Sequence, residues 1–415
     1  MFRRFWLDVI LGTIFILALM GLFASITAFK VFDIMDPIGD AFSDMEFTDV
    51  YYSQLLDDPV ADQDVVLVNI GAESRAGIAM LIDSISQHNP AVIGMDTFFD
   101  FPKEDTLGDL MLMEAFGRVE NFVLVTQPIY NMETDEFDSL RTSWPMFTWN
   151  SDSAHAVLVT DAGVQEDLKM CREFTPLLKL EDGTEQQAFG VKLASYFAPE
   201  KAKKFLERDN FVEVINYRGN VLDYGATKFG TKFAALDVYD VFGGNYVPEM
   251  IEGKVVIFCY LGNYLGDRES LEDKYFTPLN ETYIGRAFPD MYGGVVHANI
   301  VSMILNEDYI YQLSETQKWL LAITILFFNI MIFSWIYKKL PKWYDGLTKL
   351  MQLAQLLAFI YIMIYAMDFY SLKLDLNYTL IAVALSGDGL EVFFGVVKNV
   401  LSREGRRELF KVSRL

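Results

Sequence analysis

Four long apolar runs punctuate an otherwise polar chain: Val9 to Phe29, Trp319 to Tyr337, Leu350 to Met367 and Leu376 to Val397. Each is long enough, as a helix, to cross about 30 Å of hydrocarbon with every backbone polar group satisfied internally. The first holds 21 uncharged residues, longer than the apolar core of about 7–15 residues expected of a cleaved signal peptide. The pattern predicts one span, a large domain, then three spans. In numbers it reads as an N-terminus 1–8, a span 9–29, a junction 30–60, an ectodomain 61–316, spans 319–337, 350–367 and 376–397, a loop 338–349 and a tail 398–415.

Within the ectodomain the hydrophobic period alternates between strand and helix. Asp64 to Ile70 (DVVLVNI) is a continuous apolar run of strand length. Ser74 then stands as the N-cap of a helix to about His88, with Ile78, Leu81, Ile82 and Ile85 at helical spacing and Asn89-Pro90 as its stop. Ala91 to Met95 reads as a second strand, Leu107 to Arg118 as a second helix and Phe122 to Thr126 as a third strand. Further strands are expected at Ala156 to Thr160, Phe211 to Tyr217 and Lys254 to Tyr260, and helices near Ala188 to Phe197, Leu236 to Phe242 and Ala298 to Leu305. Strand, helix, strand at this spacing predicts an α/β fold, a mostly parallel sheet with right-handed crossovers and helices on both faces.

Basic residues orient the spans. Arg3 and Arg4, then Lys338, Lys339, Lys342 and Lys349, then Lys398 through Arg414, all fall on one side if all four runs cross. That side is expected to be cytoplasmic, with both termini there and the ectodomain periplasmic or extracellular on a bacterial cytoplasmic (inner) membrane, multi-pass. Residues 30 to 316 carry 49 Asp and Glu against 20 Lys and Arg, so the acidity of the chain, −23 overall, belongs to the ectodomain. Such a surface repels phosphate backbones and argues against a nucleic-acid partner. Both cysteines, Cys171 and Cys259, lie there; a disulfide is open to them, while Cys259 inside an apolar strand fits the role of a small buried hydrophobe.

Several short runs, VVLVNIG from Val65, AVIGMDTFF from Ala91, INYRG from Ile215, GKVVIF from Gly253, GDRESLEDKYFTPL from Gly266 and GGVVHANIVSMIL from Gly293, stand in an order that resembles the second CHASE-type family of extracellular sensory domains. The most specific pieces are Tyr275 with Thr277-Pro278-Leu279, and His297-Ala298-Asn299. The resemblance implies a membrane-anchored sensor outside and a signalling output inside. About 18 residues follow the last span, so the output is expected on another protein.

Ligands of open parallel sheets bind beyond the carboxyl ends of the strands. That rule selects Asn69, Glu73 and Asp96 after the first two strands, Gly262, Asn263, Asp267 and Arg268 after the Lys254 to Tyr260 strand, and His297 and Asn299 at the following helix. They form a candidate site for a small polar ligand or a cation; the alternative is that Asp96 and Asp267 cap loops while His297 and Asn299 bond backbone. Three histidines without a ligand-spaced pair speak against zinc, and no GxSxG elbow or cofactor motif is present, so no catalytic residue, metal or cofactor is expected.

The fourth apolar run carries Asp388 and Glu391, three residues apart and hence on one helical face. Carboxylates in a membrane face other helices or water. Contact with a partner is the first reading, with Asn329 of the second span as a candidate hydrogen-bond partner; snorkelling to the cytoplasmic surface, with Gly387 and Gly389 marking a kink, is the second. The basic tail could lie on anionic lipid or dock a partner. The expected function is therefore a membrane sensor binding an envelope ligand or protein and signalling through a separate partner. The alternative is a non-catalytic structural subunit of an envelope complex, and a homo-oligomer is open under either.

Overall fold

The computed structural model describes residues 2–25, 46–131, 136–161, 170–223, 227–282 and 288–401. The far end of the first predicted span, most of the predicted junction and the basic tail beyond 401 lie outside the described residues. The chain forms two compact units, Asp44–Ile310 and a second made of Met1–Ser43 with Tyr311–Leu415. Helix α1 (Phe2–Ser25) belongs to the second unit and is taken up with it below.

Strand β1 (Val65–Asn69) is buried at every position, as a strand covered on both faces must be. Helix α2 (Arg75–Ser86) begins where the Ser74 hydroxyl accepts the Gly77 N–H at 3.1 Å, and the chain turns at Asn89 in a left-handed conformation ahead of Pro90. Strand β2 (Val92–Met95), helix α3 (Thr106–Arg118) and strand β3 (Phe122–Asn131) complete the expected repeat. The Arg75 guanidinium, buried under the Phe147 ring, pairs with Asp109 and so joins α2 to α3.

Beyond β3 the structure departs from the sequence pattern. The second half of β3 pairs antiparallel with β4 (Glu136–Arg141), a hairpin hidden by its alternation of polar and apolar residues. The polar tetrapeptide β5 (Asp152–His155), not the apolar run after it, takes the parallel place beside the first half of β3. Its first two residues are exposed and its last two buried, which suits an edge position. The predicted strand at Ala156 to Thr160 instead becomes β6 (Leu158–Asp161), antiparallel to β7 (Met170–Phe174) in a separate small sheet.

A hairpin of β8 (Leu177–Lys179) and β9 (Glu185–Gln187) precedes helices α4 (Phe189–Phe197) and α5 (Pro199–Leu206). The predicted Phe211 to Tyr217 strand shrinks to β10 (Glu213–Val214), paired with β7, and the turn beyond it at Arg218-Gly219 is held by the Asn299 side chain. Next come β11 (Ala234–Leu236), helix α6 (Val238–Gly243), β12 (Val255–Cys259), and the short pair β13 (Lys274–Tyr275) and β14 (Met291–Tyr292). Helix α7 (Gly293–Asn306) is buried from Gly293 to Leu305.

The main sheet runs β11, β1, β12, β2, β3, all parallel, with β5 parallel and β4 antiparallel on β3. Helices α2, α3 and α6 cover one face, and α4 and α7 the other. Two glycines set the closeness of that second layer. A Cβ on Gly94 of β2 would lie 2.6 Å from the Phe189 ring, and one on Gly294 of α7 would lie 2.4 Å from the Cys259 sulfur. Cys171 and Cys259 are both buried and not joined to each other, so the disulfide left open by the sequence is not formed.

In the second unit four helices are long and apolar enough to cross a membrane: Arg4–Leu22, Glu315–Lys339, Pro341–Tyr370 and Asn377–Val397. They correspond to α1, α8 (Glu315–Lys339), α9 (Tyr344–Tyr370) and α10 (Asn377–Val392). A Cβ on Gly389 of α10 would meet Ile16 of α1 at 2.2 Å, so this glycine seats one helix against another, as small residues do between membrane helices.

The near end of the predicted junction packs on the ectodomain. A short helical stretch over 47–55 brings Asp49 against Arg172, at 2.7 Å with both side chains buried, and the Tyr52 hydroxyl donates to Asn216 at 2.9 Å. Removing one partner of a buried pair strands the other charge. Arg172→Met is expected to lower ectodomain stability by about 3–5 kcal/mol, with much of the loss recovered in Arg172→Met/Asp49→Leu. Denaturant unfolding of the two variants checks this.

Candidate functional site

Parallel pairing brings the carboxyl ends of β2, β3 and β12 to one edge of the sheet, and a cavity of about 420 Å³ opens there. Asp96 follows β2, Thr126 and Gln127 lie in β3 past its pairing with β2, and Tyr260 follows β12. Ala156, Val157 and Leu158 form one wall. Glu272, Asp273 and Tyr275 reach it from the segment before β13, and Gly293 and His297 from the first turns of α7. Asp273 has a left-handed backbone, and its carboxylate lies over Gly293, where a Cβ would be 3.0 Å from the nearer oxygen.

Buried polar groups at this cavity lack protein partners. The Thr126 hydroxyl and His297 Nδ1 have no hydrogen-bond partner among the described residues, although both residues are 2% exposed. Native interiors satisfy nearly all such groups with protein or water, and among the described residues Arg75 Nε, Gln187 Oε1 and Ser334 Oγ are unpartnered in the same way away from this cavity. His155, fully buried and opposite Thr126 in the sheet register, stands behind Thr126 and His297. The Thr175 backbone acts on its ring without reaching hydrogen-bond geometry. The Phe189 ring meets His297 edge to face at 5.2 Å.

Burial governs the charge states. It raises the Asp96 carboxyl to about 7, and among the described residues no hydrogen bond reaches that carboxylate to oppose the shift. Burial lowers His297 to about 4, and burial with the neighbouring His297 lowers His155 to about 3, so both rings are neutral near pH 7. Burial, reinforced by Asp96 and Asp273, pushes the Cys259 thiol well up and leaves it unreactive.

Of the nine residues selected from sequence at the strand ends, Asp96 and His297 line the cavity. The other seven are engaged elsewhere, Gly262 as an acceptor from Asn69 and Asn263 as a donor to Asp267. Asn69 is fully buried, accepts the Gly71 and Leu261 N–H groups and donates to Asp237 and the Gly262 carbonyl, tying the loops after β1 and β12 together. Glu73 folds back over Gly77 in the first turn of α2. Asp267 organises its own loop: burial raises its carboxyl, but bonds from Asn263, Ser270 and Glu269 outweigh this and hold it low. Arg268 is exposed and donates to the Asp223 carbonyl. Asn299 accepts from the Arg218 and Gly219 N–H groups and donates to the Gly219 and Val295 carbonyls.

Two of the short motifs thus serve the scaffold: Asn299 clamps the turn at Arg218-Gly219, and Thr277 bonds Asp290 through its amide and its hydroxyl at 2.9 and 2.7 Å. Thr126, His155, Glu272, Asp273 and Tyr275 were missed as site residues. The strand-end rule reaches Thr126, which closes the FVLVT run, whereas His155 sits in a polar strand with no sequence signal.

In the helical unit, Asn329 exchanges both amide bonds with Gln355, at 3.1 and 2.6 Å. Asp388 pairs with Lys349 at 2.6 Å, and it and Glu391 are exposed. Asn329 and Asp388 therefore have separate partners and do not bond each other. At the same end Asp8 is buried between Lys338 and Lys398, at 2.6 and 2.7 Å.

Two pH responses follow. The unfolded Asp96 ionises near 3.8 while the folded one holds its proton up to about 7, so this group lowers stability progressively across that window and by a constant amount above it. Asp96→Asn is expected to raise the thermal midpoint by an amount that grows from pH 4 to pH 7 and then levels off. His297 acts oppositely: its folded value of about 4 against 6.5 means that stability falls as the pH drops through that interval, and His297→Gln escapes part of that fall. Thermal unfolding of both variants across this range checks the signs, and a pH-independent gain for Asp96→Asn would contradict the assignment.

The family model described as the CHASE2 domain matches residues 41–336, well over half of the chain. No curated protein and no solved structure gives a significant match. The matched segment contains the whole sheet, the cavity and the motifs that clamp it, and the chain belongs to the CHASE2 family of extracellular sensory domains.

Proposed function

We propose that this protein is a membrane-anchored sensor whose ectodomain binds a small ligand in the cavity at the carboxyl edge of the sheet and passes the result to a separate partner protein. The observation that carries the reading is the pair of unsatisfied buried groups, Thr126 Oγ1 and His297 Nδ1, at a 420 Å³ cavity in a sensory-domain fold. Sites of a few hundred cubic ångströms with a few convergent polar groups are the usual seats of small ligands.

The ectodomain stands outside a bacterial cytoplasmic membrane, on four spans with both termini inside. Supporting this orientation, Lys338, Lys349 and Lys398 gather at one end of the helical unit, bonded to Asp8 and Asp388. Trp319 stacks on Tyr378 at 4.4 Å near the starts of α8 and α10, an aromatic pair suited to the opposite interface. Asp388 and Glu391, exposed on α10, offer a partner an acidic contact near the basic end.

The test uses the full chain in lipid nanodiscs exposed to the small-molecule fraction of its own cells, beside an Ala156→Phe variant that fills the cavity. Slower amide exchange in the segments around Asp96 and Thr126 is expected in the original protein and not in the variant. Equal behaviour of the two, with the same envelope proteins co-purifying at constant stoichiometry, would overturn the sensor reading in favour of a structural subunit.

A further inference from the structure

On the footing that the four helices span the membrane as proposed above, contacts at their two ends set how deep each residue lies. Trp319 of α8 stacks on Tyr378 of α10 at 4.4 Å, and Tyr337 stacks on Phe394 at 4.7 Å, with Asp8 held by Lys338 and Lys398 beside them. Lys318 and Lys338 stand twenty residues apart on α8, about 30 Å of helix and the thickness of the hydrocarbon. Glu391 and Asp388 lie seven and ten residues short of Lys398, about 10 and 15 Å along the axis, toward the basic end yet within the hydrocarbon. Lys349 of α9 pairs with Asp388 at 2.6 Å, and the two side chains are 57% and 70% exposed. Glu391 is exposed as well, and no hydrogen bond or ion pair reaches it among the described residues.

Neighbouring polar side chains turn inward instead. Asn329 and Gln355 bond each other, Gln352 donates to the Val383 and Ala384 carbonyls, and Ser386 donates to the Val383 carbonyl. Charges inside a bilayer face other helices or water, so a face carrying three of them is built to be covered. Its shape fits a helix. Ala384, Asp388, Glu391 and Gly395 follow at intervals of four, three and four residues and form one exposed stripe. A Cβ on Gly395 would meet nothing within 4 Å, and Ala384 presents a single methyl, so another helix can lie close along the carboxylates.

We propose that this stripe of α10, with Lys349 beside it, docks a transmembrane helix of a second protein that carries a lysine or arginine at the depth of Glu391. The face holds two carboxylates and one ammonium, a surplus of one negative charge. A second copy of this chain brings the same surplus and doubles it, whereas a basic residue cancels it. The sensor reading calls for a separate partner, and this face gives that partner its place of attachment.

The test places a photoreactive phenylalanine at Ala384 of the full chain in its native membranes, with Phe328 on the exposed side of α8 as the control position. Adducts are identified by mass spectrometry. The expected adduct at Ala384 joins a transmembrane segment that holds Lys or Arg. Its yield falls at least about fivefold in Glu391→Arg, survives in Glu391→Asp, and returns in Glu391→Arg when the partner's basic residue is changed to Glu. Thermal unfolding of each variant verifies that the fold is kept. An adduct between two copies of this chain would overturn the second protein in favour of a homo-oligomer. Adducts with lipid alone, equal yield at Phe328, or indifference to Glu391→Arg would overturn the docking face. None of these results touches the cavity-filling comparison that decides the sensor reading. Impermeant labelling of Lys342→Cys, expected from the cytoplasmic side only, checks the four-span placement on its own.

Discussion

The parallel register that ties Val65–Asn69 to Val255–Cys259, and that strand to Val92–Met95, decides where chemistry can occur in the ectodomain. Strands buried on both faces leave no room for polar function along their length, and parallel pairing sends every strand end to one edge. The loops gathered there must satisfy their own polar groups. Asn69, Asp267, Thr277 with Asp290, and Asn299 do so by multiple bonds to backbone and neighbours. Thr126 and His297 do not, and with Asp96 they line one cavity. The division between satisfied and unsatisfied groups separates scaffold from site more sharply than residue type does, since both sets contain Asp and polar side chains.

Much of the fold was legible because its strongest elements are local. The apolar runs at Val65, Val92, Phe122 and Val255 have one stable fate, and Ser74 and Asn89-Pro90 punctuate the first helix through bonds of their own. Less legible was whatever depends on a distant partner. The run at Ala156 and the polar DSAH before it compete for the same sheet edge, and tertiary context favours the polar one. The same limit applied to the site. Strand-end logic reached Asp96 and His297, but it could not tell that Asn299 would be spent on Arg218 and Gly219, because that depends on two segments 80 residues apart in sequence.

The helical unit shows a comparable economy of contact. Asn329 and Gln355 satisfy each other in the apolar interior, as polar groups between membrane helices must. Asp8 is held by two lysines. Asp388 and Glu391 stay exposed at the same end, with Asp388 on Lys349. Gly389 reads as a packing seat for Ile16 rather than a kink.

Whether the polar groups at the sheet edge hold a ligand is decided by a high-resolution density map of the full-length protein purified gently from its native membrane. Density larger than water is expected in the cavity, within hydrogen-bond distance of Thr126 Oγ1, His297 Nδ1 and the Asp96 carboxylate. Ordered waters alone bonding all three groups, in a cavity otherwise empty, would contradict it.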